Sequence, residues 1–254
     1  MLKISIVIIT KNEEHNLERT LKSIQGISDD VIIVDSGSTD GTLMIAGKYG
    51  TKILRTEWLG YGPTKNMGIE RAKYDWIFTL DADEAIDETL KESLSSLDLR
   101  NDENVVYKAG FRNYIGEKYL QYGRYLKSTS TVLFNRKYIK WNQEPVHEKL
   151  VIPGNFSSRK LKGLVLHYSM KDLADYNNKM VRYALLNAQK YFDQGRTVST
   201  LKLLFAGRFA FVRNFLLRGG FLDGRIGFVS AVIYAHYTFL KYARLKELID
   251  LSKK

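Results

Sequence analysis

Apolar segments of strand length alternate with segments of helical periodicity along the first hundred residues of this chain. In the first helical segment Leu17, Leu21 and Ile24 recur at three- and four-residue spacing, which places them on one helix face. Strands that alternate with helices at this pitch form a mostly parallel sheet with flanking helices, so the sequence predicts an α/β fold. The predicted strands are KISIVIIT (3–10), DVIIVD (30–35), TKILRT (51–56) and WIFTLD (76–81), and the predicted helices are EEHNLERTLKSI (13–24), STDGTLMIAGKYG (38–50) and GPTKNMGIERA (62–72).

Polar residues follow three of these strands at the point where each strand ends. They occupy positions 10–13, 35–38 and 81–84. In an open α/β sheet the ligand lies beyond the carboxyl ends of the strands. The three clusters therefore predict one binding site at that edge.

We also expect Ser38 to cap the second helix and Gly50 to end it.

The third cluster concentrates three carboxylates, Asp81, Asp83 and Glu84, directly after a buried strand. Two aspartates one residue apart at a strand exit can bind one divalent cation, and hard cations such as Mg²⁺ and Mn²⁺ often share their oxygen ligands with substrate phosphates. The alternative is that Asp83 or Glu84 caps the helix that starts near Asp87. The two neighbouring polar strand ends favour metal binding by Asp81 and Asp83. We expect Glu84 instead to begin or support the following helix.

The rest of the chain divides into two regions. Residues 104–168 combine strands and loops, in VVYKAGFRNYI, STSTVLFN and GLVLHYS, and the remainder is helical. We expect helices over 172–192, 197–217 and 224–250, with a break at Gly219-Gly220. The predicted domains are 1–168, with halves 1–100 and 101–168, and a helical C-terminal extension over 169–254.

Composition limits the function classes. Hydrophobic residues make up 44% of the chain and aromatic residues 12%, enough for a substantial core. Cysteine is absent, which excludes disulfides and thiolate metal sites and is typical of a reducing compartment. The N-terminal sequence MLKISIVIITKNEE lacks the features of a signal peptide and is expected to form a core strand.

Positive charge is concentrated in the C-terminal region. Of the net charge of +11, residues 196–254 carry +8, from eleven basic and three acidic residues, and this region is rich in Phe, Leu and Tyr. Its longest apolar stretch, 226–240, has 15 residues, whereas a spanning helix needs about 20. We expect peripheral contact with an anionic membrane surface. The alternatives are helices that pack on the catalytic domain with their arginines in solvent, or a homodimer contact.

The motifs SIVIITKNEEHNLERTLKSI, DDVIIVDSGSTDGT and KNMGIERAKYDWIFTLDADE, in this order, resemble the nucleotide-sugar-binding half of family 2 glycosyltransferases, which have the GT-A fold. The resemblance covers about residues 3–95. The later segments EPVHEKL and GFLDGRIGF…AHYTFLKYARL are similar to the bacterial branch that adds core sugars to lipopolysaccharide, including β-glucosyltransferases. The resemblance implies a GT-A catalytic domain over 1–168, with 1–100 binding the donor and 101–168 the acceptor.

The resemblance implies that Asp35 hydrogen-bonds the nucleotide base or ribose, with Thr10 and Glu13 completing that pocket. The family often has a second aspartate after this one, where this chain has Ser36. Lys65 and Asn66 would face the same edge, where a cation can neutralise a diphosphate leaving group.

By the same resemblance, Asp83 is the principal ligand of Mg²⁺ or Mn²⁺, and Asp81, the first residue of the DXD motif, contacts the ribose, or the metal through water. His167 is a further metal ligand or diphosphate contact.

An inverting transfer needs a general base for the acceptor hydroxyl. The candidates are Glu144, His147 and Glu148. The resemblance favours Glu148, with His147 orienting it or contacting phosphate. The alternative is that Glu148 is a surface carboxylate paired with Lys149 or Arg136.

These expectations combine into a metal-dependent inverting glycosyltransferase, peripheral on the cytoplasmic face of the cytoplasmic membrane. The implied donor is a nucleotide-sugar, with UDP-glucose the first candidate, and the acceptor is a lipopolysaccharide core or related cell-envelope glycan. One alternative is a nucleotidyltransferase acting on a sugar phosphate, but such enzymes usually carry a Gly-rich basic loop where this chain has TKNEEHN. The other is a non-enzymatic membrane adaptor. The sequence has no recognisable nucleic-acid-binding module, so we expect no nucleic-acid partner.

Overall fold

The computed structural model of the chain describes residues 2–100, 102, 104–125, 129–143 and 149–253. The strands are β1 (Ile4–Thr10), β2 (Val31–Asp35), β3 (Lys52–Arg55), β4 (Trp76–Asp81), β5 (Glu84–Ile86), β6 (Val105–Ile115), β7 (Lys118–Leu120), β8 (Thr129–Asn135), β9 (Lys140–Trp141), β10 (Leu150–Val151) and β11 (Ser157–Met170). The α-helices are α1 (Leu17–Ser23), α2 (Thr42–Lys48), α3 (Tyr61–Glu70), α4 (Glu88–Ser95), α5 (Leu173–Asp193), α6 (Thr200–Val212) and α7 (Gly224–Leu251). Short 3₁₀ turns span Gly123–Tyr125 and Gly220–Asp223, and a π-helical turn spans Arg213–Leu217.

The chain forms two compact units. The first comprises Met1–Phe111 and Ser128–His167, and the second comprises Arg112–Lys127 and Tyr168–Lys254. The strand order of the main sheet is β3-β2-β1-β4-β8-β6-β11-β5, and β7 pairs with β6.

The sheet is parallel in its N-terminal part and antiparallel elsewhere. Strand β1 pairs in parallel with both β2 and β4, and β2 pairs in parallel with β3. Strand β8 pairs antiparallel with β4 and β6, and β11 pairs antiparallel with β5. The predicted α/β fold of the GT-A type is confirmed, and its parallel portion comes from the four strands that the hydrophobic pattern identified.

The core of the first unit covers both faces of this sheet. All seven residues of β1 are buried, and its side chains alternate between two apolar clusters. Ile4, Ile6 and Ile8 belong to one cluster, and Val7 and Ile9 belong to the other. A strand with a period of two directs successive side chains to opposite faces, so a continuous apolar run indicates helices on both sides.

Two local predictions at helix starts were wrong. Helix α2 begins at Thr42 with Gly41 as its N-cap, because the Ser38 hydroxyl accepts a hydrogen bond from the preceding loop instead. Glu84 does not begin a helix; it begins the short strand β5. Helix α4 follows, capped by the Asp87 carboxylate, which accepts the Leu90 N–H at 2.8 Å. The predicted stop at Gly50 is confirmed by its positive φ of 65° directly after the C-cap of α2.

The second unit contains the three long helices that the sequence predicts. The Asp172 carboxylate caps α5 by accepting the Asp175 N–H, and the Ser199 hydroxyl caps α6 in the same way. The helix that begins as α6 ends in the π-helical turn, and the chain then breaks at Gly219, whose φ is 70°. Among the described residues, no helix combines the length and the apolar character that crossing a membrane requires.

Gly68 allows α3 to lie close against the sheet. A Cβ atom at this position would lie 2.5 Å from Val7 Cγ1 and 2.6 Å from Val34 Cγ2. Gly47 in α2 has no atom within 4 Å of the corresponding point. Both glycines are helical, but only Gly68 is closely packed against its neighbours.

We expect Gly68→Ala to lower the free energy of unfolding by about 1–3 kcal/mol, because the extra methyl group overpacks a rigid sheet. Gly47→Ala should raise it by up to about 1 kcal/mol, because alanine favours the helix. Denaturant unfolding of both variants measures the difference. Equal effects at the two positions would contradict the close approach of α3.

Asp30 joins three segments at the opposite end of the sheet from the polar clusters. Its fully buried carboxylate accepts hydrogen bonds from the Ser5 hydroxyl, from the Lys73 N–H at 2.7 Å and from Lys52 Nζ at 2.6 Å. Burial alone would raise the pKa of Asp30, but the hydrogen bonds from Lys52, Ser5 and Lys73 hold it below its usual value. The charged form is therefore the form that stabilises the fold.

Asp30→Asn should lower the free energy of unfolding at neutral pH by about 2 kcal/mol, because charge-assisted hydrogen bonds are lost from a buried site. The pKa of Asp30 is lower in the folded protein than its value of 3.8 in the unfolded chain, so the charged form stabilises the fold above about pH 3.8. This stabilisation is lost as the pH falls through the pKa of Asp30 in the folded protein. The difference between the two proteins should therefore shrink below about pH 4. Asp29→Asn is the control, since the exposed pair of Asp29 with Lys73 contributes little. A pH-independent difference would contradict this assignment.

Candidate active site

The register of the parallel strands brings the predicted polar strand ends together. Thr10 lies opposite Asp35 in the β1–β2 pair, and Ile9 lies opposite Asp81 in the β1–β4 pair. The last residues of three adjacent strands therefore form one edge. Thr10 and Asp35 are buried there, and Asp81 is half-buried.

The loops that follow β1 and β2 are joined to each other by hydrogen bonds. Asn12, with a φ of 56°, donates its N–H to Ser38 Oγ at 2.9 Å, and its side-chain oxygen accepts the Thr39 N–H at 2.8 Å. Glu13 donates its N–H to Thr42 Oγ1, and the Glu14 carboxylate accepts the Gly41 N–H at 2.8 Å. The two loops thus form one preorganised surface at the strand edge.

Sequence reasoning missed this connection between the loops. The only local signal was an asparagine at a strand exit, since asparagine tolerates the left-handed conformation that Asn12 adopts. The partners lie more than 25 residues away in the sequence, so their pairing depends on the β1–β2 register.

The Asp35 side chain is directed into its own loop. Its carboxylate is almost fully buried and accepts the N–H groups of Gly37 at 3.1 Å and of Ser38 at 3.1 Å. Glu13 accepts the side-chain N–H of Asn16 at 2.9 Å. Both residues lie where the sequence placed them, and both help to shape the loops around the predicted nucleotide pocket.

Lys65 contributes a positive charge to the same edge from α3. Its Nζ lies 2.9 Å from Asp81 Oδ1, and the side chain is only 10% exposed. The ammonium group also lies 4.7 Å from the centroid of the Trp141 ring, within the range of a cation–π interaction. A cation held by a carboxylate and an aromatic face in a water-poor site has a fixed position from which to act on an anion.

Asn66 fixes the position of Trp141. Its side-chain nitrogen donates to the Trp141 carbonyl at 2.9 Å, and its side-chain oxygen accepts the Trp141 N–H at 3.1 Å. The structure therefore uses the Asn66 amide to attach β9 to α3. Sequence reasoning assigned Asn66 to the donor pocket and missed this pairing, which joins residues 75 positions apart.

Asp83 and His167 meet beside the acidic turn. Strand β5 pairs antiparallel with β11, in register His167 with Glu84, and His167 Nε2 lies 3.4 Å from Asp83 Oδ2. Burial opposes the charged form of His167, but the hydrogen bond to Asp83 and the charges of Asp83, Glu84 and Asp81 raise its pKa above the usual value. The structure thus places His167 in contact with Asp83, two residues after Asp81.

Glu84 shows how much negative charge this turn concentrates. Its buried carboxyl group accepts the Asp81 N–H at 2.9 Å. Burial, followed by repulsion from Asp81 and Asp83, raises the pKa of Glu84 to about 8. Asp81 and Asp83 therefore act on Glu84 as negative charges, and a cation bound beside them would reduce this repulsion.

The acidic turn fits a divalent cation of the predicted kind. Two ligand atoms on a Mg²⁺ or Mn²⁺ ion at bonds of about 2.1 Å lie roughly 3–4 Å apart, and Asp83 Oδ2 and His167 Nε2 are separated by 3.4 Å. In the described part of the chain, no group of three or more acidic or histidine side chains is arranged to hold a metal. Asp83 and His167 could therefore supply only part of the coordination of such a cation.

The predicted general base lies outside the described residues. Glu144, His147 and Glu148 all fall in the segment 144–148. The residues on either side of it are described: Asn142 donates its N–H to the Lys149 carbonyl at 2.9 Å, and Lys149 donates its N–H to Asn142 Oδ1 at 2.9 Å. Through Trp141 and Asn66, both ends of the segment are attached to the helix that carries Lys65.

Replacing Asn66 should detach β9 from α3. We expect Asn66→Leu to lower the free energy of unfolding by about 2 kcal/mol, because both backbone groups of Trp141 lose their partners in a partly buried site. Asn187→Leu is the control, since the Asn187 side chain donates only to the carbonyl of Tyr183 within its own helix. Chemical unfolding measures both variants, and an effect at Asn66 no larger than that at Asn187 would contradict the bridging role.

The chain is similar to several known proteins. The model of the family described as Glycosyl transferase family 2 matches residues 5–161. An uncharacterized glycosyltransferase of Rickettsia typhi is 30% identical over 98% of this chain and 88% of its own length. The lipopolysaccharide core biosynthesis glycosyltransferase LpsC of Rhizobium meliloti is 29% identical over 96% of this chain and 92% of its own length. The crystal structure of S. aureus TarS 1-349 has a TM-score of 0.46 and 18% identity over 99% of this chain and 92% of that chain.

Proposed function

The chain belongs to glycosyl transferase family 2 and is a glycosyltransferase, and we propose that it moves a sugar from a nucleotide-sugar to a cell-envelope glycan. In this proposal the transfer inverts the anomeric configuration of the sugar and depends on a divalent metal. UDP-glucose is the first candidate donor. A lipopolysaccharide core is the first candidate acceptor, since the similar LpsC is named as a lipopolysaccharide core biosynthesis glycosyltransferase. Family membership sets aside the nucleotidyltransferase and the non-enzymatic adaptor.

One observation carries the proposal: the acidic turn after β4 meets Lys65 and His167 at the edge where the strands β1, β2 and β4 end. The nucleoside diphosphate leaving group develops negative charge as its bond to the anomeric carbon of the transferred sugar breaks. The fixed Lys65 ammonium, which is largely removed from solvent, stabilises such charge without reorganising. The preorganised loops after β1 and β2 supply the adjoining surface for the nucleoside.

Asp83 and His167 would hold the metal, and Asp81 would contact the ribose or the metal through water. A bound Mg²⁺ or Mn²⁺ ion supplies Lewis-acid stabilisation to the diphosphate.

Glu148 would accept the proton of the acceptor hydroxyl, with His147 beside it. The described residues on both sides of this segment, Asn142 and Lys149, are attached through Trp141 and Asn66 to α3, the helix that carries Lys65. If Glu148 is the base, its carboxylate removes the proton from the nucleophile while Lys65 stabilises the departing diphosphate. The two roles then belong to opposite sides of the transferred sugar, as an inverting displacement requires.

We expect Asp83→Asn to abolish metal-dependent release of UDP from UDP-glucose while the free energy of unfolding changes little, because the half-buried Asp83 contributes to the site. Asp98→Asn is the control, since Asp98 is an exposed carboxylate that pairs only with Arg100. The measurement is UDP release with Mn²⁺ or Mg²⁺, across several nucleotide-sugars. Undiminished activity of Asp83→Asn would overturn the metal assignment.

The variant Glu148→Gln tests the role of the general base independently of donor binding. We expect this variant to bind donor and metal as the unchanged protein does and to lose transfer by at least about a hundredfold, because general-base catalysis typically contributes that much. Transfer to an acceptor glycan, followed beside donor binding by calorimetry, gives both readouts. Surviving transfer would move the role to Glu144 or His147.

A further inference from the structure

An exposed apolar stripe runs along α6 in the second unit. We call it the α6 face and define it by five side chains that are 40–69% exposed: Leu201, Leu204, Phe205, Phe209 and Val212. At 100° per residue these positions fall within an arc of about 140°. Of the 13 residues of α6, only Ala210 is buried. The stripe therefore covers one side of a helix whose apolar side chains remain largely outside the core.

The stripe continues past the end of α6. Leu216 and Leu217 in the π-helical turn are 53% and 73% exposed. Phe221 and Leu222 in the following 3₁₀ turn are 51% and 58% exposed. Such a concentration of exposed large apolar side chains in one segment is typical of a site of contact with a protein or a membrane.

Basic residues predominate in the segment that carries this surface, which ends at Asp223. No acidic residue occurs between Asp193 and Asp223, whereas five basic residues do: Arg196, Lys202, Arg208, Arg213 and Arg218. In the described part of the chain, none of these five forms an ion pair with a carboxylate. Their charges are therefore available to an anionic partner.

Lys241 of α7 is buried inside the second unit and is affected by some of the same basic residues. Its buried ammonium lies about 5 Å from the ring centroids of Tyr191, Tyr237 and Tyr242. Burial lowers the pKa of Lys241, and the charges of Lys202, Arg196 and Arg213 lower it further. The positive charges of Lys202, Arg196 and Arg213 thus also act on this buried ammonium group.

Arg208 shows how the charges and the stripe are combined. It lies on the same side of α6 as the apolar residues, donates from Nη1 to the Leu204 carbonyl at 3.1 Å and lies 5.8 Å from the centroid of the Phe205 ring. A long basic side chain that runs along apolar surface can keep its charged end in water while its stem is buried. This arrangement is typical of helices that lie in a membrane interface.

We propose that the α6 face is a membrane-docking surface and that its occupant is a bilayer containing anionic phospholipid, with the exposed apolar side chains entering the acyl boundary and the basic residues contacting lipid phosphates. The proposal rests on the proposed function in one respect: a glycolipid acceptor would be presented by that bilayer. A second copy of the chain fits the same surface less well, because two surfaces with a large excess of positive charge repel each other.

The experiment is cosedimentation of the purified chain with vesicles of phosphatidylcholine, or of phosphatidylcholine mixed with phosphatidylglycerol. The chain should bind the mixed vesicles, and binding should weaken between about 0.1 M and about 1 M salt. The Phe205→Ser/Phe209→Ser double variant should bind them at least about tenfold more weakly. Lys202→Gln/Arg208→Gln should bind the mixed vesicles more weakly and show a smaller salt dependence, because three of the five basic residues remain.

Matched controls lie on α5 of the same unit. Leu185 and Leu186 are 44% and 56% exposed, comparable with the residues tested on α6. Leu185→Ser/Leu186→Ser should leave vesicle binding unchanged, as should Arg182→Gln for the charge. Equal losses from the α5 and α6 variants would overturn the assignment of the surface. Salt-independent binding to both vesicle types would overturn the role of anionic lipid.

Light scattering and donor binding distinguish a failure of membrane docking from a failure of the proposed function. Failure to bind either vesicle, together with self-association in light scattering that Phe205→Ser/Phe209→Ser abolishes, would assign the α6 face to a second copy and overturn the membrane proposal. Donor binding should be unchanged in every α6 variant, because the residues of the candidate site lie in the first unit. Vesicle binding by a chain that binds no nucleotide-sugar would support docking while contradicting the proposed function.

Discussion

Three carboxyl groups within four residues at the end of β4 impose the main electrostatic constraint on this chain. The buried Glu84 carboxyl group resolves part of it by a raised pKa, which holds it protonated at neutral pH. Asp81 resolves another part through its ion pair with Lys65, and Asp83 through its contact with His167. Each solution depends on a different neighbouring element, so the turn determines how α3, β5 and β11 are placed around it.

The hydrophobic pattern predicted the fold where local periodicity decides it. The strands β1, β2 and β4 are buried on both faces and end in polar residues, so their positions and their shared edge could be predicted from the sequence. The antiparallel half could not be predicted in the same way, because its pairings join strands far apart in the sequence. The β5–β11 pair, which brings His167 to the acidic turn, connects residues about 80 positions apart.

The misses at the site have related causes. Glu84 was expected to support a helix, because an acidic residue before a helical segment usually does. The structure instead places it in a strand, where its backbone pairs with His167. Asn66 was assigned to the donor pocket, yet its amide is engaged by the backbone of Trp141. Side-chain to backbone bonds between distant segments leave no periodic signal in a sequence.

The central claim is that the acidic turn binds a divalent cation together with a nucleoside diphosphate. The most direct test is Mn²⁺ binding, followed by electron paramagnetic resonance, with and without UDP. We predict that UDP tightens Mn²⁺ binding, that Mn²⁺ tightens UDP binding by the same factor, and that Asp83→Asn abolishes both effects. Mn²⁺ affinity that is independent of UDP and unaltered by Asp83→Asn would contradict the account.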